Sequence, residues 1–327
     1  MAPRTFLIDT DTASDDAVAL IMALRAGAAG IDVRVAAITT VAGNVSVAQA
    51  TQNALYVTEL CASDVPVFMG AAQPLWREYM HAEWFHGRDG LGDQGYPAPR
   101  RSAAPTHASD AIVAFVHENP GLTVVTLGPL TNVALALAKD PAIAARVGRC
   151  VIMGGNPCCE GNVTPAAEYN IWVDPEAARI VFRSGMPIDL AGWHLCRGEA
   201  ALNPADIDRV LAFDTPLARF AIECNSMAMA AYRAQTGESG ISLPDPIAMA
   251  IALDPSLCTN VSEHFVDVEV ASELTRGMTV VDRLNVAGDD RNRNVWQPLL
   301  AKNRKIRVCW TIDIPRWKDA LYRVLSP

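Results

Sequence analysis

The stretch Phe6-Leu7-Ile8-Asp9-Thr10-Asp11-Thr12-Ala13-Ser14-Asp15-Asp16 opens apolar and ends with four carboxylates inside eight residues. Bulky apolar residues followed by polar ones predict a buried strand that runs off its end into a helix beginning near Asp15. In an open α/β sheet, ligands bind outside the carboxyl ends of the strands. Carboxylates crowded there repel one another unless a cation or hydrogen-bond donors hold them, so a hard divalent metal is implied. A plainer reading puts Asp15 and Asp16 in the first helical turn, where the dipole favours negative charge, and Asp9 in a turn cap. It accounts for only part of the cluster.

Outward from this stretch, short β-branched runs at 6–8, 33–40, 65–69, 122–127, 150–153 and 187–191 alternate with helical patterns at 15–26, 45–60, 108–118, 130–138 and 175–184. The alternation predicts βαβ units: an α/β fold with an open, mostly parallel sheet flanked by helices, in one domain over residues 1–327. Later, 215–234 reads as one long helix, and 265–270 and 306–312 read as strands. The segment 73–105, rich in Gly, Pro, His and aromatics, is long for a connection and reads as a functional loop or a poorly ordered one.

Composition narrows the function. The 327 residues are half apolar, enough for a sizeable core. A net charge of -9, with no lysine or arginine run, argues against a nucleic-acid partner. No apolar stretch is long enough to span a bilayer, and none looks like a signal core, so a cytoplasmic protein is expected. The eight cysteines lack paired CxxC spacing, which argues against structural zinc and for reduced thiols.

An apolar strand followed by DxDxT also resembles the nucleophile motif of the haloacid-dehalogenase-like phosphohydrolases, with Asp9 attacking phosphorus and Asp11 acting as acid. Such a site needs a lysine and a further acidic pair on later strand ends. The runs after 40, 127 and 153 are instead Val-Ala-Gly-Asn44, Gly-Pro-Leu-Thr131-Asn and Gly-Gly-Asn156.

These runs fit a different family. Asp9, Asp11, Asp15 and Asp16 match DxDxxxDD, followed by Val41-Ala-Gly-Asn44-Val, His86-Gly-Arg-Asp-Gly-Leu-Gly92, Leu127-Gly-Pro-Leu-Thr131-Asn, Val151-Ile-Met153-Gly-Gly155, Gly161-Asn162-Val-Thr-Pro-Ala-Ala-Glu168-Tyr-Asn170, Asp174-Pro-Glu-Ala-Ala and Pro244-Asp245-Pro. In this order they make the chain resemble the inosine-uridine-preferring nucleoside hydrolases. The resemblance implies a Rossmann-like fold with its site at the C-terminal strand ends, cleavage of the N-glycosidic bond of ribonucleosides to ribose and free base, and calcium as cofactor. It gives calcium to Asp11, Asp16, Asp245 and the Leu127 carbonyl, oxygen donors suited to a hard cation. Asp11 would be the general base for a calcium-bound water. Ribose recognition falls to Asp15, Asn44, Asn162, Glu168 and Asn170, with Asp245 sharing a hydroxyl, and Met153 and Trp193 join the substrate-binding set. A homodimer or homotetramer is implied as well.

Each residue has an ordinary alternative. Asn44 and Asn162 follow glycine, as turn asparagines do. Glu168 and Asn170, two apart, would share one face of an extended segment and point at one ligand. Asp245 between prolines would cap a helix. A calcium-dependent ribose or nucleoside binding protein without catalysis is the other functional alternative, against which the retained Asp11 argues.

One departure matters. Where the resemblance implies a histidine acid, or an aromatic, immediately before the last aspartate, this chain has Pro244. His86 is the expected replacement for the leaving-group acid and Trp84 the expected stacking residue, with His81, Phe85, His194, Arg197, Cys224 and Tyr232 as weaker candidates. Purine nucleosides are the expected preference, because a purine accepts a proton at N7 and gains more from stacking.

Overall fold

The computed structural model describes residues 3–292, 294–295 and 305–327. Its main sheet has eight strands: β1 (Arg4–Thr10), β2 (Val33–Thr40), β3 (Val67–Met69), β4 (Thr123–Thr126), β5 (Arg149–Met153), β6 (Ile188–Ala191), β7 (Cys258–His264) and, after two short strands that lie elsewhere, β10 (Ile306–Ile312). Their order is β3-β2-β1-β4-β5-β6-β10-β7, with every pair parallel except β10 and β7. Phe6 to Thr10 are all buried, as expected of a central parallel strand covered on both faces. The chain goes from β1 out to β2 and β3 and then returns to β4 on the other side. The carboxyl ends of β1 and β4 therefore flank the point where the winding reverses, the usual ligand crevice of such sheets.

Two helices sharpen that point. Ser14–Leu24 is buried from Ser14 to Ala23, and Pro244–Leu253 from Asp245 to Leu253. Neither is an amphipathic surface helix; they pack against each other inside the core. Their N-termini converge, so Asp15 and Asp16 in one first turn meet Asp245 in the other.

The fold agrees with the sequence reading in class, in the β2 and β10 ranges and in the Ala108–Glu118 helix. Its differences from that reading include three. The long helix expected at 215–234 is two helices, Pro216–Glu223 and Ser226–Thr236. Between them the Asn225 amide donates to the Ala221 carbonyl (3.0 Å) and to the Ser14 carbonyl (3.4 Å), competing with the helical ladder. The strand expected at 265–270 is β8 (Val266–Val268), paired antiparallel with β9 (Thr279–Val281) in a separate two-stranded sheet. Finally, β7 was not expected at all: its residues are largely polar and exposed, so an edge strand left no alternation to read.

The segment 73–105 is mostly irregular chain, and part of it borders the cleft described below. It holds a one-turn helix, Glu83–His86, and a turn tied by Asp89, whose Oδ1 accepts from the Leu91 (2.7 Å) and Asp93 (3.0 Å) amides.

Candidate active site

The floor of the site is built from the acidic stretch. Asp11 leaves β1 beneath the Gly43-Asn44 turn, where the Asn44 amide donates to its Oδ2 at 2.6 Å. A β-carbon on Gly43 would lie 2.1 Å from that oxygen, so glycine is what lets the turn approach the carboxylate. Asp16 reaches back to the Ala13 amide (3.0 Å) and accepts the Thr10 hydroxyl (2.5 Å). One oxygen each of Asp11, Asp15 and Asp245 is buried with no hydrogen-bond partner. Burial, reinforced by the neighbouring carboxylates, pushes Asp11 and Asp245 well above the ordinary carboxylate range and Asp15 up to about 8; burial raises Asp16 too.

Orphaned, mutually repelling carboxylates fit a hard cation, which replaces protons as counter-charge and fills the vacant oxygen lone pairs. Asp15, Asp16 and Asp245 each offer an oxygen within 4.8 Å of the others. The tightest grouping therefore includes Asp15, which the sequence reading gave to ribose, and omits Asp11, which it gave to metal. The Leu127 carbonyl accepts the Asn170 side-chain amide at 2.7 Å, and its second lone pair is unused by that bond.

Above the floor lies a cleft of about 160 Å³. Asp15, Asn44, Asn162, Glu168, Asn170 and Asp245 border it, as do Leu127 and Met153. Asp11 and Asp16 lie under that surface. Glu168 and Asn170 do face one ligand space, but not from an extended segment. Glu168 caps the helix Tyr169–Val173, accepting from the Asn170 (2.9 Å) and Ile171 (3.3 Å) amides and from Gly155 (2.7 Å), and Asn170 sits in its first turn. Asp245 is not a cap either: Leu243 holds that position, and Asp245 lies in the first turn behind Pro244. Asn162 accepts the Tyr169 amide at 2.9 Å through its carbonyl, leaving its NH2 group for a ligand.

The other wall is aromatic. Trp84, Phe85, His86, Trp172, Trp193 and Tyr232 border the cleft. Trp84 is 63% exposed at its mouth. His86 is buried, its Nδ1 2.9 Å from the Ser14 hydroxyl, and burial lowers the imidazole to about 3, so it is neutral. When Ser14 donates to Nδ1, the proton sits on Nε2. Trp193 carries the Arg197 guanidinium 4.8 Å above its ring.

Two weaker candidates point elsewhere: His194 bonds the Cys309 carbonyl (3.0 Å) beside a neighbouring groove, and the Cys224 thiol faces the Ser14 carbonyl (3.6 Å). The sequence reading missed Tyr169, Trp172, Asn225 and Ser242. Tyr169 and Trp172 flank Asn170, so their proximity was a usable signal; Asn225 gave none.

Asp9 is not placed as a nucleophile. Its Oδ1 accepts from Thr39 (2.5 Å) and Asn132 (2.8 Å), burial raises it to about 7, and it does not border the cleft. No lysine or arginine borders the cleft among the described residues.

Fold and site together define a doubly wound α/β protein with an acid-floored, aromatic-walled cleft at its winding reversal, able to hold a metal ion and a neutral polar ligand. The family model described as inosine-uridine preferring nucleoside hydrolase matches residues 6–319, and the chain belongs to that family. It is 40% identical to the pyrimidine-specific ribonucleoside hydrolase RihA of Shewanella sp. (strain MR-7), over 89% of this chain and 91% of that one. Among solved structures it resembles a plant nucleoside hydrolase, PpNRh1 (TM-score 0.90, 32% identity, 99% and 100% of the two chains). It also resembles a purine-preferring ribonucleoside hydrolase from Gardnerella vaginalis (TM-score 0.87, 29% identity, 99% and 98%). The chain is an N-glycosyl hydrolase acting on ribonucleosides, which sets aside the phosphohydrolase and binding-only alternatives. No helix among the described residues is long and apolar enough to cross a membrane.

Proposed function

We propose that this chain hydrolyses ribonucleosides with calcium as its cofactor and Asp11 as general base. The observation that carries this reading is the set of buried, unpartnered oxygens of Asp11, Asp15 and Asp245 at the winding reversal. Asp11, Asp16, Asp245 and the Leu127 carbonyl would hold the cation. When bound, it would acidify a water and anchor the sugar hydroxyls. Asp11, fixed by the Asn44 amide, takes the proton of the attacking water. Asp15, Asn44, Asn162, Glu168 and Asn170 hold the ribose, with Asp245 sharing a hydroxyl and Met153 beneath the ring. The anionic floor favours the positive charge that grows on the sugar as the C1'–N bond lengthens.

Pro244 has no proton to give the departing base. A neutral His86 carrying its proton on Nε2 donates a hydrogen bond to it instead, while Trp84 and Trp193 pack against its faces. The lack of lysine and arginine around the cleft among the described residues favours a neutral nucleoside over a nucleotide. A purine preference is our reading, carried by the aromatic wall. A pyrimidine preference is the second reading, favoured by the name of the RihA relative. The proposal extends to a cytoplasmic homodimer or homotetramer, which light scattering of the purified protein tests.

The deciding experiment measures reducing-sugar release from inosine, adenosine, guanosine, uridine and cytidine, with calcium and after chelation. Turnover that is calcium-dependent and fastest on inosine or guanosine is expected. Fastest turnover on uridine or cytidine selects the second reading, and full activity after exhaustive chelation removes calcium from the mechanism.

A further inference from the structure

The part of the aromatic wall made by Trp84, Phe85 and His86 hangs on very little backbone. Leu75 is tied by its amide to Asp174 (2.8 Å), and Ala82 by its amide to the Asn44 carbonyl (2.9 Å). Between them, among the described residues, the main chain from Trp76 to His81 makes one hydrogen bond to the rest of the protein: the Met80 carbonyl accepts the Tyr169 hydroxyl at 2.7 Å. Side chains add the Arg77–Glu176 ion pair and the Tyr79 hydroxyl, which donates to the Gly43 carbonyl at 3.0 Å.

The Tyr169 hydroxyl also lies 2.8 Å from that Gly43 carbonyl. It has one proton and two carbonyls in reach. The Gly43 carbonyl has two lone pairs and already takes one donor from Tyr79, whereas the Met80 carbonyl, the nearer of the two to Tyr169, has no other donor among the described residues. Tyr169 follows Glu168 and precedes Asn170, and its own amide is accepted by Asn162. Gly43 precedes Asn44, whose amide holds Asp11. A single phenol thus joins the helix that reads ribose, the turn that fixes the base and the strand of chain that leads into Trp84, Phe85 and His86.

We propose that Tyr169 is a positioning residue that latches the 76–86 segment over the sugar, setting how tightly the nucleoside is held. This rests on the hydrolase reading of the cleft. Loss of the hydroxyl leaves the ring in place but frees the Met80 carbonyl and with it the approach of the aromatic wall. A typical hydrogen bond changes an equilibrium by about 3- to 10-fold, which sets the expected size of the effect.

The test compares wild type and Tyr169→Phe as full-length, calcium-supplemented protein. In hydrogen–deuterium exchange read by mass spectrometry, the hydrogen-bonded amides of the 75–86 peptides, those of Leu75, Ala82, Phe85 and His86, should exchange about 3- to 10-fold faster in the variant, with peptides covering β1 and the Ser14–Leu24 helix unchanged. On the better nucleoside substrate, KM should rise by about the same factor and more than kcat falls. Unchanged exchange at 75–86, or an equal rise throughout the chain, overturns the latch. So does a fall in kcat at constant KM. If the wild type hydrolyses no nucleoside, the hydrolase reading fails, and the exchange comparison still decides whether the latch exists.

Discussion

The floor and the wall of the cleft are made differently. The floor stands on the carboxyl ends of β1 and β4 and on two core helices, with Asp11 and Asp16 fully buried and held by short hydrogen bonds. The part of the aromatic wall made by Trp84, Phe85 and His86 comes from a segment with a one-turn helix and one main-chain tie from Trp76 to His81, and its Trp84 is mostly exposed. A rigid floor suits the part of the reaction common to every ribonucleoside, the sugar and the water. A loosely tethered wall suits the variable part, the base. Relatives that share the fold yet are named for different bases fit that division of labour.

The comparison breaks most sharply at Asp11. Asp11→Asn should reduce kcat by about two to four powers of ten while ribose still binds, since general bases commonly contribute that much. A variant within tenfold of wild type would show that the floor does not carry the chemistry.

Sugar specificity comes next. Leaving buried polar groups unpaired costs about 1–3 kcal/mol each, so a 2'-deoxyribonucleoside should lose at least tenfold in kcat/KM against its ribo counterpart. The loss should exceed that between the two best bases. Equal rates on both sugars would mean that the floor reads the ring without its hydroxyl.

A third test separates the floor from the wall by proton linkage. In the metal-free protein Asp15 lies at about 8 against an ordinary 3.8, and Asp11, Asp16 and Asp245 are raised as well. Carboxyls whose folded value is raised add their stability when protonated. That share is complete below about pH 4 and is lost as pH climbs toward about 8. The chelated protein should therefore melt progressively lower between about pH 5 and pH 8, and calcium should raise the melting temperature most at the alkaline end. A calcium effect largest at acid pH contradicts the assignment of these carboxylates to the cation.

The smallest effects belong to the wall. Trp84→Ala and His86→Ala should each change kcat/KM by about tenfold or less, Trp84 mainly through KM, and more on purine than on pyrimidine nucleosides, given stacking worth about 0.5–1.5 kcal/mol. Steady-state kinetics on inosine and uridine reads this directly. Equal losses on both substrates would leave base choice to Tyr232 or Trp193, which also border the cleft.

The amino-acid sequence by itself determined the strand-helix alternation, the placement of Asp9 to Asp16 at a strand end and the family pattern, because these depend on local periodicity and on residues close together in the chain. It singled out Asn44, Asn162, Glu168 and Asn170, which border the cleft, without their geometry; an N-cap and a first-turn residue look the same in sequence as two alternating positions of a strand. The resemblance grouped Asp245 with Asp16, but only the tertiary structure shows how residues 229 positions apart meet, and that Asp15 joins them: two core helices pack with their N-termini together. The same holds for the broken helix at Asn225, whose amide finds the Ser14 carbonyl, and for the Tyr169 hydroxyl on Met80. Each is a contact between distant segments, and no local pattern encodes which carbonyl a buried donor will meet.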